Sequence, residues 1–137
     1  MNTNQISDLL SVYQSDLYML FDCQDQSFWE KQPEGKWSAG HHLIHLVQST
    51  RPLILGLSMP KFLLKWYFGK ANRPSRTFDE VIQRYDEKLK MVPDGVVSPF
   101  SRKMPKSNSG DRYKWQKTFA DLNEQLNKKM RKFSDND

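Results

Sequence analysis

Apolar residues recur at three- and four-residue steps in four stretches of the chain. In residues 4–25 they are Ile6, Leu9, Leu10, Tyr13, Leu17, Leu20 and Phe21, with no Gly or Pro between them. That spacing is the signature of one amphipathic helix. A linker with Pro33 and Gly35 follows. Ser38 then offers a hydroxyl to the free amides of a second helix over 38–58, lined by Leu43, Leu46, Val47, Thr50, Ile54 and Leu57. Pro52 removes one rung of its ladder and predicts a kink near Gln48–Ser49 or an early end at Arg51. The sequence Thr77-Phe78-Asp79-Glu80 is a capping box that opens a third helix over 77–91, with Val81, Ile82, Tyr85 and Leu89 on its apolar side. In 110–133, Trp115, Phe119, Leu122, Leu126, Met130 and Phe133 form the apolar face of a last helix. Lys128, Lys129, Arg131 and Lys132 suit the negative end of its dipole. No stretch alternates with period two, so the pattern predicts an all-α chain of four helices.

Two connections are distinctive. Residues 59–76 form a long crossover in which Phe62, Leu63, Leu64, Trp66, Tyr67 and Phe68 alternate with lysines, and no acidic residue occurs. The expectation is that the aromatics fold against the helices while the lysines reach outward. Basic groups between aromatics also suit nucleic acid or a membrane surface, but no nucleic-acid motif accompanies them. Residues 93–110, rich in Pro, Ser, Lys and Gly, read as a mobile loop.

Length and composition narrow the class. At 137 residues, with 37% hydrophobic and 27% charged side chains, the chain fits one soluble domain. No apolar run approaches the roughly 18 residues of a membrane span, and the first residues lack the pattern of a signal peptide. The lone Cys23 excludes an internal disulfide framework and suits a reducing, cytoplasmic setting. It lies between Asp22 and Asp25 at a helix C-terminus and reads as an inert small residue. The net charge of +5 is uneven: residues 1–60 carry three basic and six acidic groups, residues 61–137 eighteen and ten.

All three histidines fall in Gly40-His41-His42-Leu43-Ile44-His45. His41 and His45 are four apart and His42 and His45 three apart, so on a helix each pair sits on adjacent turns. Such pairs can chelate zinc, nickel or copper, although a catalytic centre usually takes three protein ligands. A helical wheel places His45 roughly 140° from the middle of the apolar stripe, on a flank where another segment can meet it.

The stretch from Pro33 to Leu46 resembles the signature of the DinB/YfiT-like superfamily, in which a Trp-Ser helix start is followed, seven residues after the serine, by a histidine and an apolar residue. Here these are Trp37, Ser38, His45 and Leu46. The downstream order of crossover, Arg73-Pro74-Ser75, capped helix, Pro/Gly loop and long helix is similar too. The resemblance implies a single-domain four-helix bundle with a long crossover after the second helix. It also implies a divalent metal on three histidines, and activity as a transferase or isomerase using a low-molecular-weight thiol. His45 matches one metal ligand, and His41 and His42 are weaker candidates. The other two family ligands come from a His-x-x-x-His segment on a closing helix, and no histidine follows His45 in this sequence. Zinc or nickel is therefore expected to be held weakly. Apolar surface left by that helix predicts a homo-oligomer, a dimer being the simplest. The alternative is a non-catalytic helical-bundle interaction or ligand-binding module.

Overall fold

The computed structural model describes residues 2–34, 36–69, 74, 76–93 and 104–134. Among them every regular element is helical: α1 (Thr3–Asp22), α2 (Gln26–Glu30), α3 (Ala39–Ser58), α4 (Lys61–Phe68), α5 (Phe78–Met91) and α6 (Arg112–Ser134), with a 3-10 turn at Ser109–Asp111 before α6. Local chemistry explains most of the starts. Asn2 and Gln5 form a capping box on α1, Thr77 and Glu80 another on α5, and the Asp25 carboxylate accepts the amides of Ser27 and Phe28 at the head of α2.

The four expected helices are present. The structure adds the short α2 in the linker and α4 inside the crossover. Most of the 93–110 loop lies outside the described residues. The early end at Arg51 does not occur, since α3 runs through Pro52 to Ser58. A proline inside a helix costs about 3 kcal/mol, which the buried Leu43, Ile44 and Val47 before it and the half-buried Ile54 and Leu57 after it offset.

The packed unit is built from α3 against α6, with α1 laid on α6 and α2 closing the end beside α3 and the 3-10 turn. Phe21, Trp29, Leu43, Val47 and Phe119 form its centre, flanked by half-buried Leu17, Tyr18, Phe28, Trp115 and Leu122. Polar pairs fix how α1 meets α6. Gln14 accepts from Asn123 Nδ2 at 2.7 Å, and Arg112 meets Asp22 at 2.5 Å. Arg112 also lies over the Phe21 ring, 5.8 Å from its centroid.

Two expectations about packing are corrected. The α1 stripe divides: Ile6, Leu10, Leu17 and Phe21 turn inward, whereas Leu9, Tyr13 and Leu20 are exposed. The two sets lie on adjacent faces roughly 70° apart, and α6 covers only one of them. The crossover aromatics do not fold against the helices. Phe62, Trp66, Tyr67 and Phe68 stay 69–80% exposed, and only Leu63 and Leu64 are half-buried. The apolar residues of α5 are exposed as well.

Candidate histidine site at the start of α3

Ser38 is the N-cap of α3, and its hydroxyl accepts the His41 amide at 3.2 Å. The same oxygen lies 2.8 Å from His41 Nδ1 and 2.7 Å from Ser107 Oγ, and Ser107 Oγ is 3.2 Å from that ring nitrogen. Ser38 and Ser107 are both buried. One arrangement satisfies the cluster: Ser107 donates to Ser38, Ser38 donates to Nδ1, and the neutral ring keeps its proton on Nε2. Burial, reinforced by the neighbouring His42, pushes the His41 pKa below the ordinary histidine value. His41 therefore ties the head of α3 to the segment leading into α6.

His42 and His45 are engaged differently. Trp37, the residue before the cap, lies over both, with ring centroids 5.3 Å from His42 and 5.1 Å from His45. Trp37 and His42 occupy the positions just outside the cap and in the first turn that form a hydrophobic staple. The tryptophan is half-buried, because histidines, one of them exposed, form its floor. The fully buried indole is Trp29 of α2, 1% exposed, whose Nε1 has no hydrogen-bond partner among the described residues. Beside Trp37 opens a cleft of about 400 Å³, walled by Phe28, Pro33, Trp37 and Ala39 and edged by Lys31 and His42.

The structure thus divides the candidate ligands. His42 and His45 share the Trp37 side, one helical turn apart, while His41 has one ring nitrogen occupied by hydroxyls. Among the described residues, no group of three His, Cys, Asp or Glu side chains is placed to hold a metal ion. These residues do not fit a three-ligand catalytic centre. Cys23 is exposed at the C-cap of α1.

Sequence reasoning missed Trp29 and Ser107. Asp25 followed by Ser27 marked the cap of α2 but not which of its side chains is buried, and Ser107, in a loop 66 residues from His41, had no local signal. No protein-family model, curated protein or solved structure matches the chain. Among the described residues, no helix is long and apolar enough to cross a membrane.

Proposed function

We propose that the chain is a cytoplasmic DinB-like helical-bundle protein, related in design to the divalent-metal-dependent thiol S-transferases but with an incomplete metal site. The supporting observation is the placement of His42 and His45 against Trp37 at the head of α3. In this reading His45 is the principal ligand for zinc or nickel, His42 the second, and His41 a structural group. Two imidazoles hold a divalent ion loosely, with water completing the shell. A low-molecular-weight thiol is the small-molecule partner that the family resemblance adds, and it rests on that analogy alone.

Calorimetric titration of zinc into tag-free protein tests this reading. Weak binding that disappears in His45→Ala and survives in His41→Ala is expected. Binding indifferent to His45 would overturn it, and so would tight binding that requires His41.

A second reading, a non-catalytic interaction module, is favoured by the apolar surface left open on α1, α4 and α5. Monomeric proteins rarely expose contiguous apolar patches of more than a few hundred Å². In this reading the exposed faces seat another macromolecule.

A further inference from the structure

Two of the open faces complement each other in charge and shape. α1 contains Asp8, Asp16 and Asp22 and no basic residue. Along its uncovered side Leu9, Tyr13, Asp16 and Leu20 step by four, three and four, which sets an exposed carboxylate within an exposed apolar stripe. α4 is the opposite. It contains Lys61 and Lys65 and no acidic residue, and its Phe62, Trp66, Tyr67 and Phe68 are the most exposed group of aromatics in the described chain. Phe62 and Trp66 form one i,i+4 row, and Lys61 and Lys65 the row beside it. The stripe on α1 is about 16 Å long and α4 about 12 Å, so the faces match in length.

We infer that α1 of one copy of this chain docks against α4 of a second copy. The inference rests on the second reading above and not on the histidines. A two-fold axis lets each copy offer its α1 to the other's α4, so both faces are covered at once and the assembly closes as a dimer. The Phe62–Trp66 rows of the two copies would remove on the order of 800 Å² from water, and with the α1 side added the interface reaches the range of specific ones. Asp16, set among Leu9, Tyr13 and Leu20, meets Lys65 beside Trp66. Partial burial of that pair gives it more influence on partner choice than an exposed ion pair has. The same rows of lysine and aromatic residues would also suit an anionic lipid surface, but the acidic apolar stripe on α1 has no role there.

Charge exchange tests the arrangement. Sedimentation equilibrium of the full chain should show a dimer that weakens as salt rises. Asp16→Lys and Lys65→Asp should each weaken it on the order of tenfold or more, because each homodimer then carries two like-charge contacts. Circular dichroism should show both variants retaining the parent helix content, since both positions are exposed. An equimolar mixture of the two variants should recover the dimer, as every contact in the mixed pair again joins opposite charges. Four results would overturn the inference: a monomer at all concentrations, a dimer indifferent to both reversals, variants that stay apart when mixed, or association with phosphatidylglycerol vesicles in place of self-association. None of these depends on zinc binding, so the histidine reading stands or falls separately.

Discussion

The indole of Trp29 rests on the backbone of Gly40. A Cβ atom at that glycine would lie 2.6 Å from Trp29 Cε2 and 2.7 Å from Ser107 Cβ. The close approach lets α2 and the segment before α6 both pack on the first turn of α3. Replacing glycine by alanine within a helix ordinarily stabilises by up to about 1 kcal/mol. Here the sign reverses, because neither neighbour is a flexible chain end. Gly40→Ala should destabilise by about 1–3 kcal/mol, the range for overpacking. Urea denaturation checks it. In a Trp29→Phe background, where the ring is smaller, the loss should shrink.

The two tryptophans flanking the linker should differ in weight. Trp29→Ala empties a fully buried site and should cost about 3–5 kcal/mol. Trp37 is half-buried over His42 and His45, and Trp37→Ala should cost about half that. Equal midpoint shifts in the two variants would show that Trp37 is buried after all.

His41 makes stability depend on pH in a definite direction. Its pKa is depressed in the folded chain, so between the folded and the ordinary histidine value the unfolded chain binds more protons. The contribution is complete above the ordinary value near 6.5 and is lost as pH falls below it. Denaturation midpoints at pH 7.5 and 5.5 should fall on acidification, and His41→Gln should flatten the change. Asp25 and Glu30 are held below the usual carboxylate range, Asp25 chiefly by the Ser27 hydroxyl and Glu30 by that of Ser109. Their influence enters only at more acid pH, which leaves the upper window to histidine.

Tyr18 gives the converse at alkaline pH. Its hydroxyl donates to the Gln116 carbonyl between α1 and α6. Burial is the main reason its pKa is pushed up to about 12. A raised pKa means that this stabilisation is full below the ordinary tyrosine value near 10 and lost as pH rises toward 12. Ultraviolet titration should show one of the five tyrosines ionising last. Tyr18→Phe should remove that step and weaken the α1–α6 contact.

Period and capping made the helices legible. The steps from Trp115 to Met130, the Ser38 cap and the Thr77–Glu80 box are all local, and each lies where it was expected. The faces were harder to read. Leu9 and Leu10 are neighbours in one pattern, yet Leu10 turns toward α6 and Leu9 toward solvent, because the sequence does not record how many sides of α1 are covered. In the same way Ile44 is fully buried beside the histidines while Leu46, nominally on the stripe, is 40% exposed. At the candidate site the spacing identified His42 and His45 as neighbours. It carried no sign that Ser107 would occupy His41, since that contact depends on how a distant loop returns to the helix.

The helix α5 has 14 residues and none of them is buried. A helix of that length is marginal in water without tertiary support, so its amides should exchange with solvent deuterium through local fraying. The amides of α3 and α6 around Leu43, Val47 and Phe119 should exchange only when the whole unit opens. The chain therefore has two tiers of protection. A denaturation curve followed at the core reports on α1, α2, α3 and α6, and any occupant of α5 will show first as slowed exchange there, with no change in that curve.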